Sequence, residues 1–295
     1  MSRAPEHPRI TRRAWLVAAA GTVAAATGVD AFGIEPRRVT ITRHSLGAPT
    51  GPLLRLVQLS DLHLRSIGRH EEQIADAVHA LQPDLLVRSG DAIDRTDSVP
   101  LLSSFLSLLP ETAHRVAILG NWEHWARLNL ADVRRRYATR GWTLLENAST
   151  HVTHRGADLL ITGLDDLIGG RPDVGRAIDG VVPSRNHLLL AHCPAQRDAL
   201  TNSVFGGMPA EPESASPVAA TLAPQLMLSG HTHGGQLAIG GWAPMRPPGS
   251  GRYVAGWYRD AGVPLYVSRG LGTSVVPARF GAPPEVAVFD WRLSV

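Results

Sequence analysis

Five short apolar runs, each of strand length, end in residue types that bind metal ions, and this pattern constrains the fold of the 295-residue chain more than any other. Leu53 to Ser60 (LLRLVQLS) runs into Asp61-Leu62-His63, Leu85 to Ser89 into Gly90-Asp91 and then Asp94, and Val116 to Leu119 into Gly120-Asn121. Leu188 to Ala191 runs into His192, and Leu226 to Leu228 into the glycine-flanked loop Ser229-Gly230-His231-Thr232-His233-Gly234-Gly235-Gln236. Runs of this kind read as buried strands, and open α/β sheets bind ligands beyond the carboxyl ends of their strands. Five such ends can share one crevice. Carboxylates, imidazoles and a carboxamide oxygen suit Zn, Mn or Fe, whereas calcium calls for an oxygen-rich set and structural zinc for thiolates. The single cysteine, Cys193, excludes a thiolate cage and an intramolecular disulfide.

Between these runs the spacing predicts a helix over Arg69 to Leu81, with Ile74, Ala77, Val78 and Leu81 on one side and Pro83 beyond its end. Strand, helix, strand implies a parallel pair with a right-handed crossover, which brings Asp91 beside Asp61 at one sheet edge. Pro100 to Leu109 predicts a second helix. Asn129 is placed to cap a third that runs to Arg140 and stops at Gly141. Leu144-Leu145 and Asp158 to Thr162 predict further strands; Asp165 and Asp166 follow the latter but precede Gly169-Gly170-Arg171-Pro172, which assigns them to a loop. From Thr201 to Pro224 the pattern gives way to a Gly-, Pro- and Ser-containing insertion between His192 and His231, placed to act as a lid or a substrate-contacting loop.

In this order the motifs resemble those of the calcineurin-like metallophosphoesterase superfamily: D-x-H, G-D-x-x-D, G-N-H-[DE], a lone His and G-H-x-H. Here they read Asp61-x-His63, Gly90-Asp91-x-x-Asp94, Gly120-Asn121, His192 and Gly230-His231-x-His233. SGHTHGGQ, the stretch Leu265 to Phe280 (LYVSRGLGTSVVPARF) and Pro284-Glu285-Val286 look like an exported, membrane-associated bacterial branch. The resemblance implies an α/β fold, a two-sheet β-sandwich flanked by helices, holding two divalent metal ions. It makes Asp91 their bridge, with Asp61, His63 and His233 completing one site and Asn121, His192 and His231 the other. Two ions about 3.5–4 Å apart activate a hydroxide and clamp the oxygens of a phosphate. Asp94 is a candidate partner for the outer nitrogen of a ligating histidine.

The chain departs from the family at Gly120-Asn121-Trp122-Glu123-His124-Trp125, where Trp122 stands in place of a histidine thought to assist phosphate binding or leaving-group protonation. If a helix starts at Asn121, His124 lies on the same face and is the candidate substitute acid. Trp122, Trp125, Trp242 and Trp257 are candidates for an aromatic wall, and Arg65, Arg252, Arg269 and Arg279 for phosphate clamps.

All 29 basic residues are arginine, yet the formal net charge is only +3. Arg3, Arg9, Arg12 and Arg13 against Glu6 already supply that excess, so the folded part is close to neutral and lacks a nucleic-acid footprint. Residues 1–30 read as a twin-arginine-type signal or a membrane anchor: Arg12-Arg13, Trp15-Leu16, then an alanine-rich run to Val29 that falls short of the roughly 20 residues of a span. Residues 31–52 are the expected connector and 53–295 the metallophosphoesterase domain. The expectation is therefore an enzyme exported or membrane-anchored outside the cytoplasm that hydrolyses a phosphodiester, phosphomonoester or pyrophosphate, with a phospholipid or nucleotide-sugar-lipid among the candidate substrates. The alternative is a metal-binding protein that lost catalysis with Trp122.

Overall fold

The structure, a computed structural model, describes residues 11–112, 114–201, 224–240, 242–260 and 262–295. Residues 202–223 of the insertion expected as a lid lie outside them. The chain opens with α1 (Arg12–Val29), capped by the Thr11 hydroxyl, and continues through a π-helical turn (Asp30–Ile34) and a 3-10 turn (Glu35–Arg37). The elements that follow are β1 (Thr40–Gly47), β2 (Leu53–Leu59), α2 (Arg69–Leu81), β3 (Leu85–Ser89), α3 (Val99–Leu108), β4 (His114–Ile118), α4 (Asn121–Trp125) and α5 (Leu130–Thr139). The second half comprises β5 (Thr143–Leu145), β6 (Ala148–His154), β7 (Ala157–Gly163), α6 (Val174–Ile178), β8 (His187–Leu190), α7 (Gln196–Thr201), β9 (Leu226–Ser229), β10 (Gly256–Tyr258), β11 (Leu265–Val267) and β12 (Glu285–Arg292).

Two six-stranded sheets result, ordered β1-β12-β2-β3-β4-β5 and β10-β11-β9-β8-β7-β6. Strands β2, β3, β4 and β5 run parallel, as do β7, β8 and β9, so their carboxyl ends share one edge of each sheet. Each central strand is covered on both faces, which is why its sequence is nearly continuously apolar rather than alternating. Leu54 and Leu56 face the second sheet and pack with Leu159, Ile161, Leu188, Leu228 and Phe289. Val57 and Leu59 face outward into a core closed by Ile74, Val78, Leu102, Phe105, Val133 and Tyr137. On the far side of the second sheet, Leu189, Met227 and Val267 pack with Val174, Ala177 and Tyr253. The two-sheet sandwich flanked by helices is thus present, and helices α2, α3 and α5 lie within a residue or two of their predicted bounds.

One expectation needs correction. Thr40–Gly47, placed in the connector at 31–52, is a full strand pairing in parallel with β12 from Thr40↔Glu285 to Gly47↔Arg292. The strand lies at a sheet edge and alternates half-buried and exposed residues, so no apolar period marks it in the sequence.

Candidate metal centre

The carboxyl ends of the two sheets meet, and two glycines allow it. A Cβ on Gly230 would collide with Ser60 Oγ and Asp61 Oδ2, and one on Gly90 with the His192 ring. Beneath the meeting point, Gln58 spans the sheets by donating from Nε2 to Ser89 Oγ (2.8 Å) and to the Ser229 carbonyl (3.0 Å). Above it, two buried groups converge: Asp61 with His63 and His233, and Asp91 with His192 and His231, the donor atoms within each lying less than 4.8 Å apart. Asp91 reaches both groups, with Oδ2 3.1 Å from His192 Nε2 and 3.7 Å from His63 Nε2. Asn121 Oδ1 lies 2.9 Å from His231 Nδ1. All seven sequence-predicted ligand residues are therefore brought to one place.

The donor set fits divalent ions. His63 Nε2 and His233 Nε2 face each other at 3.1 Å with their rings stacked, and Asp61 Oδ2 is buried without a hydrogen-bond partner among the described residues. The outer nitrogens of two rings are held: His192 Nδ1 donates to the Ser89 carbonyl (2.7 Å) and His231 Nε2 to that of Pro248 (2.6 Å). Each such bond selects the tautomer whose other nitrogen points inward. Asp94 Oδ2 lies 3.5 Å from the outer nitrogen of His63, beside it but without a hydrogen bond between them. Asp61, His63, Asp91, His231 and His233 all adopt left-handed backbone angles, with φ from 45° to 74°. Such angles cost non-glycine residues roughly 1–3 kcal/mol each and persist where surrounding structure imposes them.

Electrostatics favour ligation by two of the rings. Burial, together with the charges of His63 and Arg279, pushes His233 well below 6.5, and burial with His192 lowers His231, so both rings are neutral and able to ligate. Burial alone would raise the Asp91 carboxyl and lower His192. Their mutual attraction outweighs it in both, leaving Asp91 below and His192 well above the usual ranges.

Glu123 holds the loops in place, a role its place in the motif does not spell out. Buried on α4, its carboxylate accepts from the backbone N–H groups of Gly120 (2.9 Å), Asp91 (3.2 Å) and Ala92 (2.6 Å), tying the β3 and β4 ends together. Burial and the neighbouring Asp91 charge raise its pKa; Arg88 and the N–H bonds oppose the rise. Its spacing three residues after the Gly120 N-cap is the available sequence signal.

Other expectations divide. A helix does start at Asn121, but His124 Nε2 bonds Asp165 Oδ1 at 2.8 Å and does not line the cavity beside the centre. Asp165 and Asp166 are loop-formers, as predicted: Asp166 accepts from the Ile168 and Gly169 N–H groups, and Asp165 from Arg171. Trp122 and Trp125 line the cavity, whereas Trp257 packs on Tyr266 and Phe289 and Trp242 stands exposed. Arg279 is buried and donates to the Arg269 and Ala282 carbonyls; Arg252 pairs with Asp260, Arg269 donates to Thr40, and Arg65 lies against Asp94. None of the four lines the cavity; Arg246 does, unmarked in the sequence. Cys193 is buried with its thiol pushed far up by burial and by Asp166, hence inert.

The His124–Asp165 pair carries a pH-dependent prediction. The Asp165 hydrogen bond raises His124 above 6.5 against the effect of burial; Asp165, which burial would raise, is held below 3.8 by His124 and by backbone N–H groups. Its stabilisation is therefore present between those two reference values and is lost as pH climbs through the raised histidine value. Thermal unfolding of the parent and His124→Gln is expected to differ more at about pH 5.5 than at about pH 8.5. A gap independent of pH would contradict the pairing.

Comparison with known proteins agrees with this geometry. The profile of the calcineurin-like phosphoesterases matches residues 54–235. The uncharacterized metallophosphoesterase YkuE of Bacillus subtilis is 29% identical over 301 residues, covering 96% of this chain and 98% of the relative. Phosphodiesterase YaeI of Escherichia coli is 27% identical over 294 residues, covering 95% and 99%. A transmembrane protein with a metallophosphoesterase domain from Bos taurus is 28% identical over 262 residues, which span 81% of this chain and 53% of that protein.

Proposed function

Because this chain belongs to the calcineurin-like phosphoesterase family, we propose that it hydrolyses a phosphate ester at a centre of two divalent ions, Mn, Zn or Fe, held by Asp61, His63 and His233 on one side and Asn121, His192 and His231 on the other, with Asp91 shared. The convergence of the two buried groups on one carboxylate carries this reading. Bound divalent ions supply Lewis-acid chemistry, activating water and neutralising phosphate charge. The chain's own residues do the rest. Asp91 is oriented by the Trp122 N–H, 2.9 Å from Oδ1, and by Glu123 beneath its backbone. Asp61 Oδ1 accepts from the His231 N–H at 2.8 Å, which ties the two groups together. Trp122 lines the cavity edge-on to His63, with ring centroids 6.0 Å apart.

Trp122 also sets the leaving-group preference. With no acid at this position and His124 held by Asp165, the site favours esters whose leaving group departs without protonation, such as a pyrophosphate or an aryl ester. Trp122→His is expected to raise hydrolysis of an alkyl phosphodiester by roughly tenfold or more while changing bis-p-nitrophenyl phosphate less. An equal effect on both esters would contradict the assignment. The rival reading, metal binding without turnover, has the same tryptophan in its favour. It predicts a metal-loaded protein that cleaves no activated ester. The cavity, about 370 Å³ and lined by Trp125, Leu237, Met245 and Val276, suits an ester carrying an apolar group, as a phospholipid or a nucleotide-sugar-lipid does. We place the enzyme on the outer side of the cytoplasmic membrane, with residues 1–30 as its signal or anchor.

A further inference from the structure

The first helix packs against none of the other described residues closely enough to be buried. None of the 18 residues of α1 is buried, yet from Ala14 to Val29 it carries no charge. A helix apolar all round and uncovered by protein belongs in a membrane. The helical stretch as a whole, Arg12–Arg37, has the length and composition of a span, its last turns carrying Asp30, Glu35 and Arg37. At about 1.5 Å per residue, α1 alone nearly matches a hydrocarbon core of roughly 30 Å.

The junction of this helix with the domain is built rather than loose. Glu35, buried, accepts from the N–H groups of Gly281 (3.0 Å) and Ala282 (2.7 Å), and the Arg279 N–H donates to the Ala31 carbonyl (2.9 Å). The clamped segment is next to the metal centre, for Arg279 Nη2 lies 3.3 Å from His233 Nδ1. It also adjoins the lip of the cavity. Ala238 N–H donates to the Phe280 carbonyl, and the Gln236 side chain donates to the Ser274 and Val276 carbonyls. That lip exposes large apolar side chains, Val275 at 79%, Met245 at 60% and Trp125 at 48%, and Ile239 and Trp242, bonded to each other beyond Ala238, are 66% exposed each. Scattered exposed apolar residues need no explanation, but a group framing a cavity beside an uncovered apolar helix marks an interaction surface.

We infer that Glu35 locks the membrane helix to the 279–282 segment so that the apolar lip rests in the bilayer surface and the metal centre opens toward phosphate esters whose apolar part stays in the membrane. The inference rests on the phosphoesterase reading for its substrate, but the lip and the lock stand on geometry alone. The occupant is lipid because α1, which shares this end of the domain, needs lipid around it. A soluble partner would satisfy the lip and leave the helix bare.

The test uses the full chain reconstituted in vesicles of phosphatidylcholine and phosphatidylglycerol, with an environment-sensitive fluorophore on the thiol of Val275→Cys; buried Cys193 stays unlabelled. A second protein carries the probe on Arg155→Cys, in the exposed turn between β6 and β7 at the opposite end of the sandwich. Lipids brominated on their acyl chains are expected to quench the probe at 275 several-fold more than that at 155. Adding Glu35→Ala is expected to remove at least half of the quenching at 275, while the protein stays on the vesicles and binds Mn like the parent. Equal quenching at the two positions, or a parent that does not join vesicles, overturns the bilayer contact. Full quenching at 275 in a Glu35→Ala protein overturns the lock. The readout needs no turnover, so an inactive enzyme would sink the phosphoesterase reading and leave this result standing.

Discussion

Asp91→Ala is expected to lower phosphodiester hydrolysis by roughly a thousandfold or more. Asp91 stands closest to both histidine groups, 3.1 Å from His192 and 3.7 Å from His63, whereas Asp61, 3.6 Å from His233, is 4.0 Å from His192. Its loss leaves Asp61, His63 and His233 intact as one site and strips the other of its carboxylate, so the variant should retain about one equivalent of metal. It should still fold: with its carboxylate partner gone, the buried His192 stays neutral, its Nδ1–H held by the Ser89 carbonyl. Turnover measured beside metal content checks both parts. A variant that keeps two ions and near-parent turnover would remove Asp91 from the shared position.

Glu123→Ala carries the second large effect, on stability as well as rate. It strands the buried N–H groups of Gly120, Asp91 and Ala92, each at about 1 kcal/mol or more, for a total of roughly 3 kcal/mol. In a domain of this size the melting temperature should fall by about 6–12 °C. Because those N–H groups flank Asp91 and Asn121, hydrolysis should also drop by about 10–100-fold with metal in excess, the range seen when groups that orient ligands are lost. A large stability loss with unchanged rate per folded molecule would make Glu123 a structural residue only.

How much of this was legible in the sequence follows from what each feature depends on. The parallel strands and their ligand-bearing ends were legible because a strand buried on both faces must be apolar throughout, and its end is where the polar residues resume. The helices α2 and α5 were legible from apolar spacing and, at Asn129, from a cap whose side chain does accept the Asp132 N–H. Strand β1 was not, because an edge strand needs no apolar face. The capture of His124 by Asp165, across 41 positions, leaves no local trace, and neither does the burial of Arg279 under the 269–282 loop. Trp257 and Trp242 diverge for a similar reason: only the packed structure places one half-buried against the core and the other in the open.

The central claim is that two ions act together at Asp91. The most direct measurement is release of p-nitrophenolate from bis-p-nitrophenyl phosphate by the metal-stripped full chain as Mn is added back in known amounts, with bound metal counted at each step. Turnover that keeps rising until about two ions are bound per chain is the predicted result. Turnover complete at one ion, or two ions bound with no ester cleaved, would contradict it.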